Sequence, residues 1–102
     1  MSDIELRAAA KRVERMERAF DKVSRALETS PEQLAEDEWM AGAVRMLSDY
    51  LSGGEWMTDY ELDENGLLPR ELKRGVLAQD ALYNMLEEAA EYIKENQDGQ
   101  EV

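Results

Sequence analysis

Leu6, Ala9, Val13, Met16, Phe20, Val23 and Leu27 recur at alternating spacings of three and four, the a and d positions of three heptads. No Gly or Pro interrupts Ile4 to Thr29, so the spacing predicts one amphipathic helix of about 39 Å. So narrow a stripe does not belong to a helix buried all round. It needs one or two partner helices to cover it, and this requirement narrows the choice of fold more than any other feature.

The remaining chain supplies the partners. Ser30-Pro31-Glu32-Gln33 reads as a helix start, with Ser30 as N-cap, Pro31 at the first helical position and Gln33 completing a capping box. The second helix is predicted to run to about Leu51, with Leu34, Met40, Ala43, Val44, Leu47 and Leu51 inward and Trp39 and Tyr50 at the edges. Asp37 interrupts that stripe and marks a less buried end. Ser52-Gly53-Gly54 is the stop. A last helix is expected from Ala78–Asp80, turning Leu82, Met85, Leu86, Ala89, Ala90 and Ile93 to the core.

Between these helices lies a connector, 55–77. Glu55 to Tyr60 reads as a short helical turn, Glu61 to Asn65 as an acidic stretch ended by Gly66, and Leu67 and Leu68 as anchors. Pro69 opens a short helix through Arg74, with Lys73 and Arg74 on its last turn and Gly75-Val76 as a Schellman-type stop. The expectation is an all-α three-helix bundle: two long N-terminal helices, the elaborated connector and a C-terminal helix. It forms one domain over 1–96, followed by a disordered polar tail, 97–102.

Composition removes whole classes of chemistry. Without Cys or His, thiolate zinc sites, cysteine nucleophiles, imidazole ligands and Ser-His-Asp triads are excluded. The 24 acidic and 12 basic residues give a net charge of −12, which repels nucleic-acid phosphates and anionic lipids. Neither direct nucleic-acid binding nor membrane binding is expected. The charge is uneven: residues 1–29 hold seven basic and six acidic side chains, the remainder five and 18. MSDIELR lacks the pattern of a signal peptide, and a cytoplasmic protein is expected. No two carboxylates are set apart as an acid and a base. A non-enzyme without a cofactor follows as the expectation.

Three constellations invite a functional reading. Glu61, Asp63, Asn65 and Gly66 fall at positions 1, 3, 5 and 6 of an EF-hand loop, but Leu72 stands where the bidentate Glu belongs, so no metal site is expected. Asp59, Glu61, Asp63 and Glu64 precede Lys73 and Arg74 across a turn. Either the connector folds back and pairs these charges, or it forms a recognition surface. In the second reading Trp56, Tyr60, Leu67 and Leu68 are partly exposed anchors and Asp59, Lys73 and Arg74 the polar rim, since Trp, Tyr and Arg dominate interface hot spots. The third is a basic ridge on the first helix, Lys11, Arg15, Arg18, Lys22 and Arg25. It is either a solvated face or a dock for an acidic partner, which includes a second copy in a homodimer.

The run Glu55-Trp56-Met57-Thr58-Asp59-Tyr60-Glu61-Leu62-Asp63-Glu64-Asn65-Gly66-Leu67-Leu68-Pro69-Arg70-Glu71-Leu72-Lys73-Arg74-Gly75-Val76-Leu77, continued by Asp80-Ala81-Leu82-Tyr83, resembles the signature of a family of small bacterial proteins known only as a domain of unknown function. That signature reads roughly W-x-x-D-[FY]-E-x-D-E-x-G-x-L-P-x-x-L-K-R-G-V-L-S-x-D-A-[LV]-Y. Ala78 stands where the family has Ser, which removes a side-chain N-cap. The resemblance implies a small bacterial all-α protein and brings no activity with it. Two functions remain open: a protein–protein adaptor or regulator using the connector, with an unknown protein partner, or an acidic decoy that mimics nucleic-acid phosphates in a basic groove.

Overall fold

In a computed structural model, which describes the backbone of residues 2–100 and side chains through Lys94, the heptad stripe forms α1 (Asp3–Thr29). Ser2 caps it, its side chain accepting the Glu5 N–H at 3.2 Å. The stripe drifts as a straight helix must. Ala9, Val13, Met16 and Val23 are buried as expected, but Ala19 and Ala26 go deeper than Phe20 and Leu27, which are only partly buried.

The second helix is broken where continuity was expected. Ser30 ends α1: its N–H donates to Ala26 O, and its carbonyl, rather than a capping hydroxyl, accepts the Gln33 N–H at 3.0 Å. A single turn, α2 (Gln33–Glu36), stops at Asp37. Asp37 adopts an extended conformation and starts α3 (Glu38–Ser52), its carboxylate accepting the Trp39 N–H at 2.9 Å. It is therefore an N-cap and not an interruption of one helix. Within α3 Tyr50, expected at an edge, is buried, and Trp39 is half exposed.

Gly54, at φ +97°, turns the chain into α4 (Glu55–Glu64). The connector thus carries a ten-residue helix where one turn was expected. Its stop is the Schellman arrangement, formed at Gly66 (φ +70°) and not at Gly75. Gly66 N–H reaches Asp63 O, and Leu67 N–H reaches Leu62 O, both at 3.0 Å. Residues 69–74 make an irregular turn in place of the expected helix, and a 3₁₀ turn, Gly75–Leu77, leads into α5 (Gln79–Gln100). Leu82, Met85 and Ala89 enter the core, while Ala90 faces outward.

α1, α3 and α5 pack mutually, α2 closes one end, and α4 with the 3₁₀ turn closes the other. The fold is an all-α bundle. The expected tail, 97–102, lies outside the residues described in full. No described helix is long and apolar enough to cross a membrane. Replacing Asp37 with Ala should cost about 1 kcal/mol by removing the α3 cap, measured by urea unfolding, with Asp37→Asn largely restoring it.

Candidate functional site

α4 is fastened to the bundle by one carboxylate. Asp59 is fully buried. Arg12 of α1 donates to it from Nε at 2.9 Å and from a terminal nitrogen as well, and the Tyr50 hydroxyl of α3 donates at 2.8 Å. A carboxylate can be buried only when paired and hydrogen-bonded in this way. Glu55 adds a looser ion pair to Arg12 at 3.6 Å. The bond to Asp59 raises the Arg12 pKa, outweighing the opposing effect of partial burial. Burial first, then the bond to Asp59, holds the Tyr50 proton well above the usual tyrosine range.

A second fastening holds the 3₁₀ turn. Glu17, nearly buried on α1, accepts the Val76 N–H at 2.7 Å, and Trp56 Nε1 donates to the Val76 carbonyl at 3.0 Å. Gly75 makes this possible, because a Cβ there would stand 2.7 Å from a Glu17 carboxylate oxygen. The third is Arg74. It donates to Asp63 Oδ1 at 2.5 Å and to the carbonyls of Pro69, Arg70 and Leu72 at 2.7–3.1 Å. One planar guanidinium thereby shapes the whole 69–74 turn.

These fastenings redraw the expected recognition surface. Trp56, Asp59 and Leu68 are buried, at 2%, 0% and 5% exposure, so they are neither exposed anchors nor rim. Trp56 turns inward because its N–H has a carbonyl to satisfy there. Asp59 pairs with Arg12, not with Lys73 or Arg74, and of the expected connector pairs Asp63–Arg74 forms. Arg74 is half-buried in its turn, whereas Tyr60, Leu67 and Lys73 remain exposed. Tyr60 stacks on Trp56 at 5.1 Å between ring centroids. Met57, one helical turn before Tyr60, is also exposed.

Lys11, Arg15, Arg18, Lys22 and Arg25 are all exposed along α1. Arg18 and Lys73 both line a cleft of about 300 Å³, together with Glu14, Asp21 and Glu71. Glu61 and Asp63 lie within α4. Among the described residues no three carboxylates converge in a way that would hold a metal ion.

Sequence reasoning passed over Arg12, Glu17 and Met57. A signal existed for Glu17, which stands four residues after Val13 and three before Phe20, on the buried arc itself. Arg12 gave none, because its partner is 47 residues away.

A family model described as Domain of unknown function (DUF4298) matches residues 13–98. No curated protein and no solved structure matches the chain.

Two outcomes test the fastening of α4. Arg12→Met, which leaves Asp59 a buried carboxylate without its cation, should destabilise the fold by about 3–5 kcal/mol in urea unfolding. Tyr50 has its pKa raised from an ordinary 10.0, so above about pH 10 the folded state retains a proton that the unfolded chain loses, and stability falls as pH rises. Thermal melts of Tyr50→Phe should show a shallower alkaline decline from a lower starting stability.

Proposed function

The chain belongs to the DUF4298 family of domains of unknown function, and on that footing we propose that it is a non-enzymatic protein-interaction module, an adaptor or regulator, that presents the outer face of its connector to a protein partner. The observation that carries this reading is a division of labour within α4 and the turn after it. Trp56, Asp59, Leu62 and Leu68 point inward and fix the backbone, while Met57, Tyr60 and Leu67 stand 49%, 36% and 47% exposed on that same backbone. The rigidly held backbone that carries these three large side chains has little conformational entropy of its own to lose on binding, and this favours affinity.

The rim is polar, as suits an interface. Lys73 is exposed near the end of the turn, and Glu64 is exposed one helical turn after Tyr60. The bacterial cytoplasm is the compartment in which this reading places the protein.

A tagged pull-down from bacterial lysate, run at low and high salt, tests the proposal. The wild-type chain should retain a partner at high salt, and a Met57→Ser, Tyr60→Ser, Leu67→Ser triple variant should lose it while remaining folded by circular dichroism. Capture of nucleic-acid-handling proteins that leave as salt rises, with no effect of the triple variant, would point instead to the acidic decoy, whose contacts are screened.

A further inference from the structure

Gly42 occupies an interior position of α3 for which the fold gives no reason. It is exposed, its φ is not left-handed, and a Cβ built there meets nothing within 4 Å. Alanine would fit and would make a better helix, since glycine in a helix interior costs close to 1 kcal/mol relative to Ala. What glycine uniquely offers at such a place is a bare backbone that another chain can approach closely.

The surroundings of Gly42 are a groove. α5 covers one side of the α1–α3 pair. The other side is open over about 410 Å³, with the partly buried Met46 beside Gly42, the buried Met16 beneath, and Arg15, Arg45, Asp49 and Glu55 around it. One turn further along, the Lys22 ammonium sits 4.7 Å from the centre of the Trp39 ring, and that ring is half exposed. Lys22 faces Trp39 while Arg15 lies with Gly42 to Met46, so the two helices run antiparallel along this side.

The charges across it are ordered. Glu38 stands at one end of α3, and Asp49 and Glu55 at the other, where Glu55 already pairs with Arg12. Arg15, Lys22 and Arg45 form a positive band across the middle, and no ion pair among the described residues involves any of them. Away from the Asp49 and Glu55 end, this band acts at physiological salt on a docked side chain more strongly than the negative charge elsewhere on the chain, which is screened beyond about 8 Å.

We propose that the open groove between α1 and α3 docks an amphipathic helix of a partner protein, its apolar face on Gly42, Met46 and the exposed Trp39 ring and its carboxylates on Arg15, Lys22 and Arg45. Helix-in-groove recognition needs an apolar floor, and here Gly42 lets the partner backbone come close. A second copy laid face to face on this groove would set the positive band against itself across the two-fold axis, so the occupant is a different, acidic chain. The connector surface takes no part in this contact.

The test is a titration of the isotope-labelled full chain with a synthetic three-heptad peptide carrying Leu at a and d and Glu at the flanking positions, followed by amide and indole NMR shifts. Shifts should concentrate at residues 15–22 and 39–46 and at the Trp39 indole, and the Lys-for-Glu counterpart peptide should not bind. The Arg15→Glu, Arg45→Glu double variant should weaken binding at least tenfold, and Gly42→Leu should abolish it without unfolding the chain. Gly42→Ala should raise Tm by a few degrees and still weaken binding. Equal binding of both peptides, shifts centred on α4, no binding at millimolar peptide, unchanged affinity in Gly42→Leu, or self-association of the free chain through this groove in sedimentation would each overturn the proposal.

Discussion

A single buried carboxylate decides how the pieces of this bundle meet. Asp59 belongs to α4, its cation Arg12 to α1 and its hydroxyl partner Tyr50 to α3. Three elements therefore have to arrive together, in one register, before that charge can leave water at tolerable cost. Apolar burial would tolerate sliding of α4 along the bundle end, whereas a bidentate contact with a guanidinium does not. The Glu17–Val76–Trp56 arrangement extends the same logic to the 3₁₀ turn, where Val76 is held at both its N–H and its carbonyl. The bundle end is accordingly a polar lock with an apolar surround.

This explains which parts of the structure could be read from the chain. Helical periodicity is a local property, so the faces of α1, α3 and α5 are visible in spacings of three and four. The break at Asp37 was also local in principle, but an acidic residue in an apolar stripe reads equally well as an exposed position or as a cap. Gly66 and Gly75 show a further limit. Both look like helix stops, and only the structure separates the one that takes a left-handed φ from the one that makes room for Glu17. Arg12 and Glu17, which hold Asp59 and Val76, lie 47 and 59 residues from them, beyond the reach of any periodic argument.

Residue type alone misled most at the surface. Trp and Arg are enriched at interface hot spots, yet Trp56 and Arg74 find their partners inside the chain. A Trp N–H or a guanidinium can knit a small irregular segment as readily as it can anchor a partner. The side chains left for outside work are the plainer ones: Met57, Tyr60 and Leu67 on the connector, and the cations around Gly42 on the opposite pair of helices. Subtracting the satisfied groups from the candidates identifies a surface better than composition does.

The Arg12–Asp59 pair also bears on where this domain begins. The stretch that matches the family starts at Val13, one residue after the cation that neutralises Asp59. A fragment trimmed to that match would keep the whole core stripe from Val13 onward and strand a carboxylate inside it, at a cost that is a large fraction of a small domain's total stability. Drawn by energy and not by similarity, the boundary has to enclose the first turns of α1, and any truncated version meant for crystallisation or fusion should start upstream of Arg12.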